Sequence, residues 1–137
     1  MAAHDGLVAS VDCSTTACKA IAWNAEGDAV AEGRATLALA NPAPDAWAQD
    51  AEEWLSSTRA ALAAMSAALG PDAARVRALC IANQRETFVV TDEHGAPLAP
   101  AMTWMDGRAT REVDDAVRAL GRAHLHTLTG KPPCVTP

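Results

Sequence analysis

The sequence predicts an α/β layer protein with a mixed sheet and flanking helices, and three observations carry this. Short apolar runs separated by polar turns fill the first third. One long helical pattern follows. After it, short apolar runs alternate with a second helical pattern. In order, Leu7-Val8-Ala9-Ser10-Val11 and Ala20-Ile21-Ala22-Trp23 read as two strands of a hairpin around a polar turn at 12–19. Glu26-Gly27-Asp28 is a second turn, and residues 29–39 can return as a third strand. Asn41-Pro42-Ala43-Pro44 then breaks regular structure.

The clearest helix is predicted over 50–69. Asp50 is a good N-cap, Glu53 three residues on completes a capping-box-like pattern, and Gly70-Pro71 ends the helix. Trp54, Leu55, Leu62, Met65 and Leu69 share one side at 3.6-residue spacing. Residues 76–82 read as a buried strand, 87–91 as β-rich, Asp92-Glu93-His94-Gly95 as a turn, and 98–104 as an extended edge segment that tolerates Pro100. A polar helix is expected over 108–120, with Asp106 as cap and Val113, Val117 and Leu120 inward. His124 and His126 read as surface residues of a polar helical end, and 130–137, with three prolines, as irregular.

Half of the 137 residues are hydrophobic, ample for one core. A net charge of −6 and a pI near 5.0 argue against nucleic acid or an anionic membrane as partner, because either needs a basic face. No apolar stretch approaches the ~20 residues that span a bilayer, and no targeting segment is apparent, so a cytoplasmic location is expected. Cys13, Cys18, Cys80 and Cys134 lack metal-site spacing and are expected as reduced, mostly buried thiols.

Three motifs carry chemistry. The turn Asp12-Cys13-Ser14-Thr15-Thr16-Ala17-Cys18-Lys19 sets a carboxylate, three hydroxyls and an amine around exposed backbone N–H groups. Such a concavity suits phosphate oxygens, and Asp12 could hold a metal ion or its waters beside them. An ordinary hairpin turn with a solvated lysine is the plain alternative. Asn83-Gln84-Arg85-Glu86-Thr87 places a guanidinium donor beside a carboxylate acceptor at a strand end, which suits neighbouring hydroxyls; an exposed ion pair is the plain alternative. Trp104-Met105-Asp106-Gly107-Arg108 offers an apolar wall and two charged groups for a sugar, or else a core tryptophan and a helix cap. Trp47 and Trp54 read as helix packing on the sheet.

Taken in order, these pieces resemble the FGGY family of carbohydrate kinases, together with Trp47-Ala48-Gln49-Asp50, Pro97-Leu98-Ala99-Pro100-Ala101 and Thr129-Gly130. The resemblance runs from about Gly6 to Pro137. It implies the actin-like, ribonuclease-H-like ATPase fold, with residues 1–137 as an incomplete N-terminal part of its first domain and the C-terminal ATP-binding domain absent. It implies transfer of the ATP γ-phosphoryl group to a sugar or polyol, with Mg²⁺. Asp12 would lie near the metal and its water. Ser14, Thr15, Thr16 and Lys19 would lie near the phosphates, and Gln84, Arg85, Glu86, Trp104, Asp106 and Arg108 in the sugar pocket. Many members carry glycine where this chain has Ser14. The family's general base is an aspartate expected beyond Pro137, so no catalytic residue is assigned here and the fragment alone is expected to be inactive. The complete protein is expected to be a homo-oligomer. Residues 84–87 look like the glycerol kinase side of the family and residues 104–108 as much like the xylulokinase side, so the sugar stays open. Two other readings are a stand-alone, non-catalytic module that binds a ligand or protein, and an ATPase of the same superfold with no sugar substrate.

Overall fold

The apolar runs on either side of the polar turn pair as antiparallel strands β1 (Leu7–Cys13) and β2 (Ala17–Trp23) in the computed structural model, which describes residues 5–136. The chain divides into two units by its contacts: Met1–Leu39 with Asp50–Gln84, and Ala40–Gln49 with Arg85–Pro137. In the first unit, β3 (Ala29–Thr36) continues the antiparallel meander. After a helical crossover, β6 (Val76–Asn83) adds parallel to β1, so the sheet order is β3-β2-β1-β6.

The crossover is α1 (Ala51–Leu69). Asp50 caps it as expected: its backbone is extended and its Oδ1 accepts the Glu52 N–H at 2.9 Å. The Glu53 carboxylate accepts the Ala38 N–H at 3.0 Å, which ties the helix start to the segment after β3. Alternation on the strands places Ala9 and Val11 on β1 and Cys18, Ala20 and Ala22 on β2 toward α1, where they bury with Leu37, Ala61 and Met65. Trp54, Leu62 and Leu69 pack against that core as expected, whereas Leu55 is 50% exposed. The helix turns Ser57 and Ala61 inward instead, with the Ser57 hydroxyl donating to the Thr36 carbonyl at 3.0 Å. Small side chains let the helix sit close to the sheet. Gly33 on β3 has no room for a Cβ, which would run into the Ala61 carbonyl and Met65 amide.

Strand β6 departs from its expectation of burial. Leu79 and Ile81 are 51% and 60% exposed. The apolar run is a sheet-edge strand, and α1 lies over β2 and β3, reaching β1 only marginally.

In the second unit, β4 (Ala40–Ala43) and β5 (Ala46–Gln49) form a hairpin where a break was expected. Pro42 is tolerated because β4 is an edge strand, and the Asn41 amide bridges the hairpin by donating to the Ala43 and Ala46 carbonyls at 3.1 and 2.7 Å. Strand β7 (Ala101–Met102) pairs with β5 on the other side, a shorter strand than the extended segment expected over 98–104. The β-rich stretch 87–91 makes only isolated bridges, Phe88 with Met102 and Thr91 with Pro97. The expected turn at 92–95 forms, with Asp92 Oδ1 accepting the His94 and Ala96 amides.

The second helical pattern resolves into α2 (Thr110–Leu120) and α3 (Arg122–Thr129), separated by Gly121 at φ +81°. The N-cap of α2 is Ala109, not Asp106, whose carboxylate is drawn elsewhere. Val113 and Val117 are half-buried while Leu120 is 53% exposed. His124 and His126 are exposed on α3.

Candidate functional site

In the first unit the polar turn is tighter than its sequence suggests. The strands run on to Cys13 and from Ala17, so Asp12 and Lys19 face each other across a strand rung and only Ser14, Thr15 and Thr16 form the turn. The Ser14 N–H and hydroxyl both donate to the Ala17 carbonyl at 3.0 Å, closing the turn. The Thr16 carbonyl accepts the Leu37 N–H at 2.9 Å, which leaves Thr15 and Thr16 at the tip, half-buried and exposed respectively. Alternation puts Asp12 and Lys19 on the face away from α1. Lys19 Nζ lies 3.3 Å from the Glu32 carboxylate on β3, and Asp12 forms no ion pair among the described residues. An exposed, unpaired carboxylate beside hydroxyls and turn amides fits a hard divalent cation held through its waters.

Beneath the tip, the Cys13 and Cys18 sulfurs are 3.2 Å apart, and burial pushes the Cys13 thiol up to about 12. Cys80 and Cys134 are exposed, so burial covers fewer of the thiols than expected. Parallel pairing of β1 with β6 ends where the Gln84 N–H donates to the Cys13 carbonyl at 3.0 Å. That bond seats Gln84, half-buried, at the base of the turn.

In the second unit two carboxylates are each held by a cation. Asp106 is buried, 3% exposed, and accepts the Trp47 N–H at 3.2 Å and the Arg108 N–H at 3.1 Å. The Arg108 guanidinium reaches both of its oxygens, Nε at 3.0 and 2.9 Å and Nη2 at 2.8 Å. These hydrogen bonds hold the Asp106 carboxyl below its ordinary value against the opposing effect of burial, and they raise Arg108 in turn. Asp106 is therefore an anchor that orients Arg108, whose side chain remains half-exposed. Thr103, fully buried, doubles the attachment by donating through its amide and its hydroxyl to the Trp47 carbonyl at 3.1 and 3.2 Å.

Glu86 sits at φ +60°, in the left-handed region that non-glycine residues rarely occupy. Its Oε1 accepts from Lys131 Nζ at 2.5 Å and lies 3.7 Å from Arg85 Nε. The Lys131 hydrogen bond and both positive charges keep Glu86 below the ordinary glutamate value. The Arg85 side chain is 88% exposed. The Phe88–Met102 bridge and the Trp104 N–H, which donates to Thr87 Oγ1 at 3.0 Å, set Trp104 alongside the Glu86-Thr87 step. Trp104 is 45% exposed, so it is a surface wall and not core. Of the sequence-predicted residues, the first unit thus gathers Asp12, Ser14, Thr15, Thr16 and Gln84, and turns Lys19 toward Glu32. The second gathers Arg85, Glu86 and Trp104, with Asp106 and Arg108 as a bonded pair. Lys131 and the Trp47 amide were missed; the scarcity of lysine, at only two positions, was the one signal for Lys131.

The N-terminal-domain model of the FGGY family of carbohydrate kinases matches residues 7–135. The glycerol kinase of Thermus brockianus is 40% identical over 115 residues, 82% of this chain and 23% of that protein. The crystal structure of xylulose kinase from Rhodospirillum rubrum superposes with a TM-score of 0.88 at 25% identity, covering 95% of this chain and 27% of that one. Plasmodium falciparum glycerol kinase with ADP superposes with a TM-score of 0.79 at 19% identity, covering 96% and 26%. The chain spans about a quarter of the length of the curated relatives it matches. Its fold is the actin-like ATPase fold of these kinases, in its N-terminal part.

Proposed function

Because the chain belongs to the FGGY family of carbohydrate kinases, we propose that it is the N-terminal part of an enzyme that transfers the ATP γ-phosphoryl group to a hydroxyl of a sugar or polyol. The observation that carries this reading is the family match over 7–135, which takes in the polar turn and every residue of the second-unit site. In this reading the amides and hydroxyls at the Thr15-Thr16 tip donate to phosphate oxygens, and Asp12 holds Mg²⁺ through water. A Mg²⁺ ion held there would supply positive charge against the phosphates, which suits phosphoryl transfer because that reaction depends mainly on positioning and electrostatics. Ser14 shapes the turn, and Lys19 would leave Glu32 to reach a phosphate oxygen. Gln84 and Arg85 donate to acceptor hydroxyls, Glu86 accepts from them, Trp104 covers an apolar sugar face, and Arg108 is aimed by Asp106. The general base is expected outside these residues. The same reading puts the enzyme in the cytoplasm, where ATP is abundant, and expects a homo-oligomer.

ADP release with Mg·ATP and glycerol, xylulose or gluconate tests this. The complete enzyme is expected to release ADP only when one of these acceptors is present, and the 137-residue chain alone to release none. Acceptor-dependent release by the chain alone, or acceptor-independent release by the enzyme, contradicts the reading.

A further inference from the structure

Lys131 belongs to no motif recognised in the sequence, yet it makes the closest side-chain contact in the second-unit site, to a residue 45 positions away. Its aim is fixed locally. Helix α3 ends at Gly130, whose left-handed backbone (φ +72°) turns the chain. The Thr129 hydroxyl then binds the corner on both sides: its single proton is shared between the Leu125 and Lys131 carbonyls, at 2.8 and 3.0 Å, and its oxygen accepts the Lys131 N–H at 3.2 Å. Lys131 leaves this corner and meets Glu86 Oε1. Arg85 approaches the same oxygen, so among the described residues Oε2 is left to accept from elsewhere. The two bonded partners are 44% and 23% exposed, so the pair is shielded but reachable.

We propose that Lys131 is a positioning residue for the sugar site: it anchors one oxygen of Glu86 so that the other is presented, ionised and fixed in direction, to a donor hydroxyl of the acceptor. This rests on the kinase reading above. An ionised carboxylate is acceptor-only and demands hydroxyl donors, whereas a protonated one would spend its own hydrogen on the ligand. The left-handed backbone at Glu86 supports a held geometry, because that conformation persists only where surroundings over-determine it. Among the described residues, the charged groups that face Glu86 are Lys131 and Arg85, and both act in the same direction on its titration.

The test is a ¹³C-detected pH titration of the Glu86 carboxyl in the chain, wild type against K131M, K131Q and K131R. Asp106, held by Arg108 in the same unit, serves as internal control. The Glu86 midpoint is expected to rise toward the ordinary glutamate value in K131M and K131Q and to return downward in K131R, with Asp106 unmoved. An unmoved Glu86 midpoint in a neutral variant whose Asp106 titration is intact overturns the proposal. In the complete enzyme the acceptor KM of K131M is expected to rise roughly tenfold with the ATP KM unchanged, the scale of losing one charge-assisted hydrogen bond. Failure of glycerol, xylulose and gluconate alike to elicit ADP release by the complete enzyme would instead overturn the sugar reading, while the titration still decides the ion pair.

Discussion

The two units build their functional groups by different means. In the first, backbone register places everything: the Asp12–Lys19 rung, the turn closed on the Ala17 carbonyl and the Gln84 amide on the Cys13 carbonyl follow from strand pairing. In the second, side chains far apart in sequence do the placing, Asp106 on the Trp47 amide and Glu86 on Lys131. A site set by register fails when the sheet or the helix behind it moves. A site set by ion pairs fails when one partner or one proton is lost.

The largest expected effect strikes the first unit. Gly33→Ala puts a Cβ into the backbone of α1 and should destabilise the chain by about 3 kcal/mol in urea denaturation; a loss below ~1 kcal/mol would mean that the helix sits further from the sheet. Next is the second unit's anchor. Asp106→Ala removes the acceptor of the Trp47 amide and of Arg108 and should lower stability by roughly 1–3 kcal/mol. Its pH dependence follows from a depressed carboxyl. The unfolded chain takes up the Asp106 proton near 3.8 and the folded chain only at lower pH, so this stabilisation is complete above that value and fades as pH falls below it. Acid unfolding curves of wild type and Asp106→Asn should therefore keep a constant separation above about pH 4 and draw together progressively as pH falls below it; parallel curves at all pH would remove the ion pair from the account.

Smaller effects test the rest of the contrast. Asp50→Ala should cost about 1 kcal/mol through loss of the α1 cap. On the exposed edge of β6, Ile81→Thr should change the stability of this chain by no more than ~0.5 kcal/mol. A loss above ~1 kcal/mol in the same denaturation experiment would show that this strand is covered in solution.

The contrast also explains what could be read from the sequence. The first-unit strands, the α1 cap and the polar turn were legible because each is a local pattern of apolar alternation, capping and turn chemistry. The true length of the turn was not, because whether Asp12 and Lys19 lie in the strands depends on pairing and not on polarity. Exposure of Leu79 and Ile81 was hidden, since an apolar run looks the same whether or not a helix covers it. In the second unit the residue types at 85, 86, 104, 106 and 108 were legible, but not their partners. Asp106 resembles a helix cap in sequence, yet its carboxylate is drawn to an amide 59 residues away. Lys131 lies in a proline-rich stretch with no periodicity to point its side chain anywhere.

The central claim assigns the nucleotide phosphates to the Asp12 turn and the acceptor to the residues around Glu86. Steady-state kinetics of Arg85→Ala in the complete enzyme, with ATP and the acceptor varied in turn, test it most directly. The account predicts a rise of roughly tenfold in the acceptor KM with the ATP KM unchanged. Equal rises in both constants would contradict it.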